Sequence, residues 1–328
     1  MFRFSRKTLI GFSLTVIVGL VFVSIYITGS KKPKDVVLVT HDSFVMSKEL
    51  IADFNHTTGY KLKLLKAGDA GSLTNRLILT KASPIGDAVF GIDNTFAGVA
   101  TKNELLDGSL TPTDFGDVCF NYDKTWFSQR KIPVPASVKD LLLPAYKGLT
   151  VIENPNTSST GLSFLAASID KFGNSGWEGY WRSLKSNNVK VDNGWEAAYY
   201  TDFSGSSGKG AYPIVLSYAS SPADEVRADG QSQTAAILDG CFRQTEYVGV
   251  LKNARNPAGA KAVVRYLLSK KFQATFPTSM YMYPIMSGVA IPESWSKHTQ
   301  VADYAFGGNL DFNANRKSWL TAWSAIFG

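Results

Sequence analysis

Apolar positions change rhythm repeatedly along this chain, and each rhythm predicts an element. Residues 9–28 are an uncharged run of about 20, long enough to span a bilayer core. Continuous or β-branched apolar runs at 36–40, 62–65, 88–92, 118–122, 149–152, 189–191, 214–218 and 242–251 predict strands. Helical spacing marks 47–54, 72–80, 159–172, 177–185, 194–203, 257–268 and 319–327, with a shorter turn at 138–142. Strands and helices alternate from residue 36 onward, which predicts an α/β sheet with crossover helices. There is no internal repeat and no low-complexity tract.

Charge sharpens the reading of the N-terminus. Arg3, Arg6 and Lys7 precede the long apolar run and are expected to stay cytoplasmic, which puts the body on the outer side. The run is read as an uncleaved membrane anchor. A cleaved signal peptide, leaving a secreted or periplasmic protein, is the alternative, although no clear A-x-A site follows. No cysteine lies near the end of the run, which excludes a lipid-anchored cysteine.

The formal charge of +7 is concentrated in the same region. Six of the 34 basic residues (Arg3, Arg6, Lys7, Lys31, Lys32 and Lys34) precede the first acid, Asp35, which leaves 28 bases against 27 acids in the body. Such a body lacks the basic footprint of a nucleic-acid binder. About 295 residues after the anchor are enough for two lobes, each with its own core.

Cys119 and Cys241 are the two cysteines. In an exported domain they predict a disulfide, with two buried thiols as the alternative. Each lies at or near the end of a long β run. A chain that leaves one lobe, builds a second and returns needs two neighbouring connectors, and a Cys119–Cys241 bridge would tie them at the hinge.

Catalytic chemistry is poorly supplied. There are three histidines, His41, His56 and His298, and no G-x-S-x-G, H-E-x-x-H or C-x-x-C motif. The glycine-rich 204–210 segment lacks the spacing of a phosphate loop and reads as a surface loop. What remains are polar residues at strand ends, where open α/β folds bind ligands. They are His41, Asp42 and Ser43, then Asp69, then Asp93 and Asn94, and Ser217 with Tyr218. Ser158, Ser159 and Thr160 open a helix whose free N–H groups favour an anion or a carbonyl oxygen. Carboxylates Asp42, Asp69 and Asp93 with aromatics Trp195, Tyr199, Tyr218 and Tyr281 suit a flat cationic ligand, since aromatic faces attract cations and carboxylates accept from amino groups.

At these residues the chain resembles the thiamine-binding proteins of bacterial ABC importers, which have the two-lobed type II periplasmic-binding-protein fold. The similar segments are 40–44 (THDSF), 69–77 (DAGSLTNRL), 91–94 (GIDN), 121–124 (NYDK), 154–161 (NPNTSSTG), 194–199 (GWEAAY), 216–222 (LSYASSP) and 280–284 (MYMYP), in order over nearly the whole exported part. The resemblance implies an α/β two-lobed receptor with two hinge strands. One lobe is expected at 35–121 plus 249–328 and the other at 122–248, after an anchor and linker at 1–34. It further implies a monomer, without cofactor, that hands thiamine or its phosphates to a membrane permease. By motif, Asp69 matches the acid that bonds the aminopyrimidine, and Tyr281 an aromatic that stacks on it. Trp195 and Tyr218 match residues near the hydroxyethyl or phosphate end, with Ser158, Ser159 and Thr160 beside them. Three positions depart from the family: His41 stands where a Tyr is usual, Tyr281 replaces a Trp, and Asp224 replaces a Tyr.

Other cargoes of the same fold, ferric ion or polyamine, stay open. Tyr199 and Tyr200 offer the adjacent pair that iron binders use, but helical spacing points them apart. A thiamine-salvage hydrolase would need a free nucleophilic cysteine.

Overall fold

The structure is a computed structural model that describes residues 34–206 and 209–328. The expected membrane span lies outside the described residues, as does the centre of the glycine-rich loop. Among the described residues no helix is long and apolar enough to cross a membrane.

Among the described residues nine strands form one mixed sheet: β1 (Asp35–Thr40), β2 (Lys61–Lys66), β3 (Ala88–Asp93), β4 (Thr111–Asp123), β5 (Thr150–Glu153), β6 (Lys190–Asp192), β7 (Ile214–Tyr218), β8 (Thr234–Val250) and β9 (Tyr283–Pro284). Their order is β2-β1-β3-β8-β4-β7-β5-β6, with β9 beside β4. The outer pairs are parallel: β1 with β2 and β3, and β5 with β6 and β7. The central pairs that involve β4 or β8 are antiparallel. Strands β3, β5 and β7 are buried along their whole length, as strands covered on both faces must be.

Five helices of ten or more residues cover the described sheet: α1 (Lys48–Thr58), α2 (Ala70–Leu79), α3 (Ser159–Ser186), α4 (Pro257–Leu267) and α5 (Phe312–Phe327). Their ends follow local chemistry. Ser47 caps α1, accepting from the Leu50 N–H, and Gly59 ends it in the left-handed conformation. Asn256 caps α4 ahead of Pro257 at the first position. Gly173, with φ 69° and ψ 171°, breaks α3 into the two pieces that the sequence predicts at 159–172 and 177–185. The helix expected over 194–203 is instead a π turn at Ala197–Asp202, closed by the Phe203 N–H on the Ala198 carbonyl (2.9 Å). Such wide turns recur at functional sites.

The long strands β4 and β8 join two lobes. From Thr111 to Val118, β4 pairs with Val248 to Phe242 of β8, next to β3 and β9. From Phe120 to Asp123 it pairs with Ile237 to Thr234, next to β7. The register slips between Val118 and Phe120, which is where Cys119 sits. Cys119 and Cys241 form the expected disulfide, and their Cα atoms are 4.6 Å apart. Strand β8 begins eight residues earlier than its apolar run, because Thr234-Ala235-Ala236-Ile237 is recruited by pairing with β4 rather than by its own hydrophobicity. Beside the bridge, Arg243 makes two hydrogen bonds to Asp117 (2.7 and 2.8 Å), and the Ala302 N–H donates to the same carboxylate (2.8 Å).

The bridge closes a loop of 122 residues. Replacing both cysteines by serine is expected to lower the unfolding free energy by about 4–5 kcal/mol on the chain-entropy model. Denaturant unfolding of both forms measures this, and equal midpoints would show that the bridge does not constrain the unfolded chain.

Candidate functional site

The lobes meet over a cavity of about 100 Å³. It is built from strand ends and helix starts on both sides. His41 and Ser43 follow β1, and Asp69 caps α2 from the first lobe. Ser159 and Thr160 open α3, Trp195 precedes the π turn, and Tyr218 ends β7 in the second. Glu246 enters from β8 and Tyr281 from the segment before β9. A wider outer hollow of about 560 Å³ shares Ser43, Asp69, Trp195, Glu196 and Tyr200 with the cavity and is also lined by Asp42.

The aromatic wall is a packed group. Trp195 stacks on Tyr199 (centroids 4.9 Å, planes 13° apart) and has Tyr281 at 5.8 Å and Tyr218 at 6.3 Å. The indole N–H donates to Ser217 Oγ (2.9 Å), which fixes the ring. Tyr281 adopts a left-handed backbone (φ 58°, ψ 25°) while its ring is buried. A non-glycine residue in that region is held by its surroundings. Ser220 Oγ bonds the Tyr281 carbonyl, and the Tyr281 hydroxyl donates to Asp224 Oδ2 (2.8 Å) while accepting from Tyr200 (2.7 Å).

Buried acid lies beside the rings. Asp69 accepts from the Ala70 N–H at Oδ1 (2.6 Å) and from the Trp195 N–H at Oδ2 (2.9 Å), so its carboxylate spans the two lobes. The Gly71 and Ser72 N–H groups reinforce the closure by donating to the Thr157 carbonyl across the cleft (3.0 and 3.2 Å). A Cβ on Gly71 would come within 2.7 Å of that oxygen, so the approach needs glycine. Burial raises the Asp69 carboxyl above its ordinary value, although the two N–H groups oppose the shift. Asp114, fully buried, is raised well above by burial and by neighbouring Glu246. Burial also lifts Glu153 well above the usual carboxylate range.

His41 Nε2 lies 3.2 Å from Glu246 Oε1, both nearly buried. Burial alone would lower the imidazole, but Glu246, aided by Asp69 and Asp42, leaves it raised. The ring has its seat because Gly91 lacks a side chain: a Cβ there would stand 1.9 Å from His41 Cδ2, and its φ of +94° favours glycine.

Of the residues picked from sequence, His41, Ser43, Asp69, Ser159, Thr160, Trp195, Tyr218 and Tyr281 converge on the cavity, and Asp42 stands at the outer hollow. Five stand behind. Asp93 accepts from the Thr95 N–H and hydroxyl and the Phe96 N–H, and burial pushes its carboxyl up to about 6. Asn94 exchanges bonds with Arg243 and Thr245 on β8. Ser158 is buried beside Thr160, Tyr199 backs Trp195 while donating to Glu225 (2.9 Å), and Asp224 holds Tyr281. The Tyr199 and Tyr200 hydroxyls thus go to different partners. Sequence reasoning missed Glu246, Glu196, Tyr200, Ser279, Met280 and Met282.

The thiamine-binding periplasmic protein of Escherichia coli K12 is 28% identical over 311 residues, 87% of this chain and 90% of its own length. Its namesake in Haemophilus influenzae is 26% identical over 273 residues, 77% of this chain and 79% of its own. A solved periplasmic thiamin binding protein superposes with a TM-score of 0.77 at 24% identity, covering 92% of this chain and 98% of that one. The ferric binding protein from Campylobacter jejuni shares the fold at TM-score 0.70 and 16% identity, covering 89% and 99%. The family model described as bacterial extracellular solute-binding protein matches residues 91–306. The chain belongs to the bacterial extracellular solute-binding protein family.

Proposed function

We propose that the protein captures thiamine, or a close cationic relative, in the cleft outside the membrane and delivers it to an ABC permease. One observation carries this reading: the acids Asp69, Glu196 and Glu246 line the same cavity as the aromatic rings of Trp195, Tyr218 and Tyr281. A flat cation gains from both walls at once. The relatives named for thiamine support the same ligand.

Binding is closure. The Asp69–Trp195 and Tyr281–Asp224 bonds join the lobes across the cleft and would part as it opens. We place the division between the moving bodies within β4 near Cys119 and within β8 near Cys241, where the register slips and the bridge sits. The N-terminal run keeps the receptor at the membrane. No covalent step is proposed, and a cysteine-dependent hydrolase lacks its nucleophile, since both thiols are in the bridge.

Titrating the full-length protein with thiamine by calorimetry tests the assignment; heat no larger than that of dilution would remove it. Asp69→Ala is expected to weaken binding about 10- to 100-fold, the loss of one charge-assisted hydrogen bond at roughly 1.5–3 kcal/mol. Unchanged affinity in a folded variant would refute the role given to Asp69.

The pH dependence follows from the same acids. A bound cation favours ionised carboxylate, so the raised Asp69 binds best above its folded pKa and loses affinity as pH falls through it. His41, itself raised, gains its proton over the same fall and repels the cation. Affinity should therefore fall as the pH is lowered through the raised pKa values of these two groups, approaching roughly tenfold per pH unit for each linked proton. Calorimetry in buffers of different ionisation enthalpy should show proton release. A flat profile without proton release would contradict the electrostatic account.

A further inference from the structure

We infer that Asp224, Tyr200 and Ser220 form a latch on Tyr281 that sets how long a ligand stays in the closed cleft. The inference deepens the receptor reading and rests on it for the identity of the ligand. It assigns control of release to residues beyond those that face the cation.

Tyr281 belongs by packing to the first lobe. It ends the short helix Phe276–Met280, whose Phe276 ring stacks on Phe90 of β3 (centroids 6.1 Å, planes 19° apart). Two residues on, Tyr283 pairs with Phe115 of β4 and stacks on its ring (centroids 5.2 Å). The carbonyl and hydroxyl of Tyr281 are instead held from the second lobe. Ser220, just after β7, donates to the carbonyl. Asp224 Oδ2 accepts from the hydroxyl (2.8 Å), and Tyr200 in the π turn donates to it (2.7 Å). One residue thus carries three hydrogen bonds across the cleft. Its left-handed backbone is unfavourable for a residue with a Cβ and persists where the surroundings hold it. The Ser220 bond is one such hold, and opening removes it.

Asp224 differs from the acids of the cavity. It lines neither the cavity nor the outer hollow, so it acts through the Tyr281 hydroxyl and is a positioning residue. A carboxylate is a stronger acceptor than a neutral oxygen. Its neighbour Glu225 takes the Tyr199 hydroxyl (2.9 Å), so two successive acids tie the aromatic wall to the turn after β7. Opening must break the Tyr281 bonds together, which slows release. A ligand that enters an open cleft does not meet them, so the latch acts on the dissociation rate.

Hydrogen exchange and stopped-flow release test the latch in the full-length protein. The Gly71, Ser72 and Trp195 N–H groups donate across the cleft and report its opening, with or without thiamine. The β1 amides serve as the control for global unfolding. Tyr281→Phe keeps the ring and removes the hydroxyl. Its cleft amides should exchange about fivefold faster or more, with β1 unchanged. Thiamine should leave it faster by a similar factor, while the association rate stays within about twofold of wild type. Asp224→Ala should act in the same direction, and adding it to Tyr281→Phe should change nothing further, because both remove one shared bond. Asp224→Asn keeps an acceptor oxygen without the charge and should recover most of the loss. A loss as large as that of Asp224→Ala would show the charge acting on the ligand directly and overturn the latch. So would wild-type exchange at the cleft amides of Tyr281→Phe in both conditions, or a wild-type release rate. If thiamine does not bind, the thiamine reading falls and the exchange rates alone decide the latch.

Discussion

Everything in this cleft depends on the cost of burying carboxylates around a small cavity and on the partners that offset it. Asp69, Asp114 and Glu153 are buried, and burial disfavours their charged form. Part of the cost is met by N–H donors, by the Thr160 hydroxyl and by His41. Asp114 and Glu246 face one another across β4 and β8, and the hydrogen bond between their carboxyls helps to keep Asp114 raised. Buried acid of that kind costs folding energy, and a cation of the kind proposed would offset part of it.

The strands that carry this acid also connect the lobes. Asp114 and Glu246 sit opposite one another on β4 and β8. A few residues further along the same pair come the register slip, the Cys119–Cys241 bridge and the Asp117–Arg243 clamp. Charge at the floor of the cavity and the relative position of the lobes therefore share one piece of backbone. The closing contacts come from loops instead: Asp69 to the Trp195 N–H, and Tyr281 to Asp224 and Tyr200.

The strands and most helices were legible because their apolar rhythm is strong, as in Val36-Val37-Leu38-Val39 of β1. Asp69 and Trp195 were legible because they stand at element ends within specific motifs. Glu246 was not, because it lies inside a run read as a buried strand; the signal was there in a carboxylate, with Gln244 two residues before it, pointing into an otherwise apolar stretch. Glu153 was hidden in the same way at the end of β5. Asp93 looked like a ligand group at a strand end but satisfies the turn that follows. Tyr200 was set aside by a helical projection, and the π turn instead brings it to the cavity rim. Period and propensity locate elements, but a wide turn or a single buried charge depends on tertiary partners that local sequence does not display.

The central claim is that acid and aromatic walls grip one cationic heterocycle between the lobes. A crystal structure of the protein with thiamine tests it most directly. The account predicts the heterocycle against Trp195 and Tyr281, its amino group within hydrogen-bond distance of Asp69 and the lobes closed. A ligand seated elsewhere, or one in the cleft that leaves Asp69 bonded only to Ala70 and Trp195, would contradict it.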